Sequence, residues 1–140
     1  MKTAILATVA TLALGGVAFA QSSDGHQGNL PEVDLGTAKI EGNKITGVSV
    51  WTPEAGYLVI HNDAAGKPPA SLGHIAVPKG QSTDVTIESS EPLDPATKVS
   101  VMLHYETNGN TTYDFGPGST DVDTPAMGAG DTVVNVPMNQ

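Results

Sequence analysis

Three histidines and one methionine stand where strand-like runs end or begin: His61, His74, Met102 and His104. Imidazole nitrogen and thioether sulfur together suit copper, and imidazole alone suits zinc. Side chains alternate between the two faces of a strand. His61 has the opposite parity to Leu58 and Ile60, and His74 the opposite parity to Ile75 and Val77. His104, with Ser100 and Met102, opposes Val101 and Leu103. All three imidazoles should therefore point off the core face, where an exposed histidine is simply a solvated polar side chain. If residues 62–71 are a hairpin connection, His61 and His74 become cross-strand neighbours. Asp63 then lies close enough to join them around one copper or zinc ion. His104 should end its strand at the far end of the sheet from His61, too distant to share that ion.

The run Glu106-Thr107-Asn108-Gly109-Asn110-Thr111-Thr112-Tyr113-Asp114 places oxygen-bearing side chains at alternate positions and closes on a carboxylate. Glu106, Asn108, Asn110 and Asp114 could supply part of the six to eight oxygens that calcium takes. The pattern departs from a calcium loop in two ways: glycine is fourth rather than sixth, and no glutamate stands at the twelfth place. A competing reading is a tight turn at a strand end, with Gly109 supplying a positive φ. Asn110-Thr111-Thr112 is also an N-glycosylation triplet.

Other chemistry is poorly supported. The 140 residues contain no cysteine, which excludes disulfides, thiolate metal sites and thiol catalysis. They contain six lysines, no arginine and 15 acidic residues, for a formal net charge of −9. That balance argues against a nucleic-acid partner and against docking on anionic lipid. There is no nucleophile elbow and no glycine-rich phosphate loop. One Trp, three Tyr and two Phe make a poor sugar cleft. A small hydrolase ranks last, and no catalytic residue is assigned.

The elements that would position these groups are strands. Runs at 45–51, 57–61, 72–77, 83–88, 98–105 and 132–136, with a weak one at 38–41, are split by Gly, Pro and Asn turns. Val85 and Ile87, then Val99, Val101 and Leu103, share one parity and should be buried. No window has helical periodicity of useful length. The expected fold is all-β, an antiparallel two-sheet sandwich of immunoglobulin-like or cupredoxin-like type. Residues 1–20 read as a signal peptide, with a basic start, an apolar run and Ala18-Phe19-Ala20 before a cleavage point at Ala20-Gln21. Residues 21–37 read as a flexible polar leader and 38–140 as the sandwich. No other stretch is long and apolar enough for stable membrane insertion. The segment 109–130 is long and poor in apolar residues, with Tyr113 and Phe115 available to tuck it onto the body.

Several pieces resemble a known family: Gly56-Tyr57-Leu58-Val59-Ile60-His61, Leu72-Gly73, Pro78-Lys79-Gly80, and Met102 through Asn110 running on to Tyr113-Asp114-Phe115. A tail of Asp123-Thr124-Pro125 and Gly130-Asp131 completes the pattern. It is that of an uncharacterised family of secreted domains in surface proteins of halophilic archaea, found also in bacteria. The resemblance runs from about Ile45 to Val136 and departs at His74, where relatives tend to have a small polar residue. It implies a β-sandwich outside the cytoplasm and no particular activity. The expected role is a non-enzymatic binding or structural module at the cell envelope, periplasmic or secreted, with an envelope or extracellular partner. The alternative is a periplasmic protein that binds copper or zinc through its surface histidines.

Overall fold

The computed structural model describes residues 30–62, 71–96 and 98–138. The signal segment 1–20, most of the leader and Asp63 lie outside the described residues. Eight strands run in chain order: β1 (Glu32–Asp34), β2 (Lys39–Glu41), β3 (Lys44–Thr52), β4 (Gly56–Asn62), β5 (Gly73–Val77), β6 (Gly80–Glu88), β7 (Val99–Tyr105) and β8 (Asn135–Pro137). They form two four-stranded sheets in which every pairing is antiparallel. In the first, β3 pairs with β1 and β2 along one edge and with β6 along the other. The second has the order β5-β4-β7-β8. The all-β, two-sheet sandwich expected from the alternating runs is the fold observed. Boundaries shift at both ends: β1 lies inside the segment read as leader, because Val33 is buried and pairs with Val50, and the last strand, expected over 132–136, begins only at Asn135.

The inner faces of both sheets interlock as the parity required. Ile45, Val48, Val50 and Ile87 meet Leu58, Ile60, Val99, Val101 and Leu103 in one apolar core. Val85 is only partly buried, at the margin of that cluster. The β3–β6 ladder shifts register on either side of Val48, and Asp84 takes a φ of 54°. The local bulge thus turns Val85 partly away from the partner sheet. Val101 has no exposed surface. Val101→Ala should therefore cost about 2 kcal/mol, through lost burial plus the cavity left behind, as read from urea denaturation midpoints.

Two glycines admit close backbone approach. A Cβ on Gly56 would collide with the His104 carbonyl, and one on Gly73 with the Glu88 carbonyl. Gly56 thereby lets β4 lie flush against the end of β7. Gly73 lets β5 lean on the other sheet and starts the ladder that places His74.

Candidate functional site

The outer face of the second sheet carries the chemistry-bearing residues. The β4–β7 register sets Tyr57 opposite His104, Val59 opposite Met102 and His61 opposite Ser100. On the other side, β4 sets Val59 opposite His74. The parity expectation therefore holds, since all three histidines point away from the core. The expectation of a solvated face does not. His104 has no exposed surface and His61 is 5 % exposed, whereas His74 is exposed.

A cover made by residues 106–126 accounts for the burial of His104. Leaving β7, the chain makes a compact turn and lays Tyr113 and Phe115 over the sheet. It then returns along the β7 edge, where Tyr105 N–H donates to the Thr124 carbonyl and Ala126 N–H to the Leu103 carbonyl. Tyr113 lies 4.9 Å from His74, 5.2 Å from His104 and 5.4 Å from Tyr57, ring centre to ring centre. Phe115 meets His104 edge to face at 4.8 Å. With Tyr57 and Val59 they form a second apolar cluster on this face. The low-apolar segment is thus folded, and its two aromatics anchor it as expected.

Asp123 holds the cover down, and sequence reasoning assigns it no role. It is fully buried. Its Oδ1 accepts from Thr107 N–H at 3.1 Å and its Oδ2 from Asp114 N–H at 2.7 Å. Its own N–H donates to Thr107 Oγ1 at 2.7 Å. Its carbonyl accepts from His104 Nδ1 at 2.6 Å. One residue thus ties both ends of the turn to the imidazole beneath it. Its only trace in the sequence is membership of the Asp123-Thr124-Pro125 tail, which carries no physical signal.

The turn itself is closed by its own donors. Glu106 Oε1 accepts from the N–H groups of Asn108 and Gly109, at 2.9 and 3.0 Å, and Oε2 accepts from Tyr57 Oη–H at 2.6 Å. Asp114 Oδ2 accepts from the side-chain amides of Asn108 and Asn110 at 2.8 and 2.7 Å. Asn108 Oδ1 accepts from Asn110 N–H, and Asn110 Oδ1 from Thr112 N–H. Gly109 has a φ of 75°. Glu106, Asn108, Asn110 and Asp114 are gathered as the spacing suggested, in the geometry of the competing tight turn. The Tyr57 hydroxyl first, then the two backbone N–H groups, hold the Glu106 carboxyl below the usual range. The Asn110 and Asn108 amides do the same for Asp114. Burial chiefly, then the Glu106 carboxylate, raises the Tyr57 hydroxyl, and burial also raises Tyr113.

The histidine geometry differs from expectation in two further ways. His74 faces Val59 rather than His61, because the β4–β5 ladder runs through Ile60–Gly73 and Leu72 N–H donates to the Ile60 carbonyl. His61 and His74 are thus not direct cross-strand partners. His61 instead approaches His104, with ring centres 5.9 Å apart and planes inclined by 26°. Their backbones are offset along the sheet as expected, but the side chains lean toward each other. Among the described residues no three His, Cys, Asp or Glu side chains converge to hold a metal ion. No helix among them is long and apolar enough to cross a membrane.

A family model described as a domain of unknown function, DUF7282, matches residues 31–138. Cell surface glycoprotein 1 of Haloarcula hispanica is 32 % identical over 120 residues, covering 81 % of this chain and 12 % of the relative. Cell surface glycoprotein 2 of the same organism is 32 % identical over 117 residues, covering 79 % of this chain and 12 % of the relative. The chain thus spans about an eighth of the length of the curated relatives it matches. No solved structure matches it with significance. The family match across nearly the whole sandwich, together with a 32 % identical relative, shows that this chain belongs to the DUF7282 family of domains of unknown function.

Proposed function

We propose that this protein is an exported, non-enzymatic module of the cell envelope, which binds or spaces other envelope components. One observation carries the reading: a stretch similar to four fifths of this chain lies within two proteins named cell surface glycoproteins. Domains that occur as small parts of long surface proteins act by stacking, spacing or docking. The acidic balance supports the reading, because solvated carboxylates keep an exported sandwich dispersed, above all in salt. The segment 1–20, with its cleavage point at Ala20-Gln21, supplies the route out of the cytoplasm.

The test is fractionation of cells expressing the full chain, followed by intact-mass analysis. The expected result is recovery from the envelope, the periplasm or the medium, with a mass that begins at Gln21. Recovery in the cytosol with Met1 retained would overturn the proposal.

A further inference from the structure

His104 Nδ1 sits 2.6 Å from the Asp123 carbonyl oxygen. A carbonyl oxygen only accepts, so Nδ1 carries the proton of the ring. The imidazole is wholly buried, which favours its neutral form. Nε2 of that neutral ring presents a lone pair, and 3.1 Å from it lies Met102 Sδ. A thioether has no proton to offer. Two electron-pair donors therefore face each other with no hydrogen between them. One ion bound to both at about 2.0 and 2.3 Å would see them at an angle of about 90° at this separation, and a spread of about 0.4 Å would open it to the tetrahedral angle. A second imidazole lies beside this pair, the His61 ring, its plane inclined by 26° to that of His104. Two rings bonded to one ion at about 2 Å have centres at most roughly 6.5 Å apart, and those of His61 and His104 are separated by 5.9 Å.

We propose that Met102 Sδ, His104 Nε2 and a ring nitrogen of His61 form a binding site for a soft monovalent cation, copper(I) or its chemical analogue silver(I). The inference goes beyond the envelope reading and does not depend on it. Two imidazoles and a thioether are neutral and soft, the ligand type that selects copper(I) over hard divalent ions. A dication in this buried, uncharged cage would be penalised by its own desolvation more than a monocation. The Asp123 carbonyl fixes the tautomer and aim of His104 through the opposite ring nitrogen, the usual arrangement around a metal-bound histidine. Phe115 and Tyr113 pack against His104 and keep water from the site. Met102 is only partly buried, so an ion can reach the sulfur first. This set shares His61 with the surface site expected from the sequence and replaces His74 and Asp63 by His104 and Met102.

Silver(I), titrated by calorimetry in chloride-free buffer near neutral pH, tests the site. Copper(I) in competition with a chromophoric chelator provides the second probe. The wild type should bind one equivalent tightly. Met102→Leu, which preserves size, should lower the affinity at least roughly tenfold and leave the metal-free melting temperature nearly unchanged. Met127→Leu, at an exposed methionine far from the pair in sequence, should bind as the wild type does. His104 is tied into the fold, so Met102 is the discriminating position. Wild-type affinity in Met102→Leu, or no tight equivalent in the wild type, would overturn the proposal.

Discussion

Asp123→Ala should destabilise the protein by on the order of 3–5 kcal/mol, a large share of the total for a domain of this size. The carboxylate accepts two backbone N–H groups, from Thr107 and Asp114, at a site with no exposed surface. Alanine leaves both donors without a partner where water has little access, and each such orphan costs about 1–3 kcal/mol. Asp123 also has a φ of 43°, a left-handed conformation that aspartate and asparagine tolerate better than alanine. Asp123→Asn separates the two effects, because asparagine keeps the backbone preference and one acceptor oxygen. It should lose roughly half as much. Urea denaturation of the three proteins reads the difference. Hydrogen exchange should show the N–H groups of Asn108, Gly109 and Asp114 losing protection first. An alanine variant as stable as the wild type would mean that the cover is held by Tyr113 and Phe115 alone.

Acid should weaken the metal-free protein between about pH 6.5 and pH 4, a range in which most carboxylates are still ionised. Burial chiefly, with the nearby His61, lowers the His104 pKa to about 4, against the opposing hydrogen bond to the Asp123 carbonyl and the Asp123 carboxylate. Tyr113, Phe115 and Met102 supply no charge on the remaining sides. The unfolded chain takes up this proton near pH 6.5 and the folded chain only near pH 4. The unfolded state thus binds more protons in that interval, and stability rises with pH across it. The contribution is whole above pH 6.5 and is lost as pH falls through 4, amounting to about 3 kcal/mol. Unfolding free energies measured at several pH values with chelator present should show this slope. The ring protons of His104 should keep neutral-form NMR shifts down to about pH 4. A flat profile between pH 6.5 and 4.5 would contradict the assignment.

The sandwich was legible because its signals are local. Val99, Val101 and Leu103 alternate with Ser100, Met102 and His104 on one strand, and that period of two decides which residues enter the core. The same parity correctly turned His61, His74 and His104 outward. Glycine and proline marked the strand ends to within a few residues. The oxygen-rich run from Glu106 to Asp114 was recognisable as a turn because Asn and Gly act on their own backbone, within three or four residues.

Whether the outward face met water was not legible. That depended on a cover whose anchors, Tyr113, Phe115 and Asp123, are 9 to 19 residues from His104 and follow no repeating pattern. Register was equally hidden: the connection between β4 and β5 cannot reveal by its length that Gly73 meets Ile60, and so His74 meets Val59. Periodicity assigns a side chain to a face. Its partner across the sheet and its lean along the sheet are set by packing against distant residues. The sequence alone therefore determined the fold class, most of the core and the turn, whose signals lie within one strand or one loop, while Val33 and Val85 took their burial from strand pairing and a bulge. Tertiary structure decided that His61 approaches His104 and that an aromatic lid covers His104, because burial and convergence depend on segments brought together only by folding.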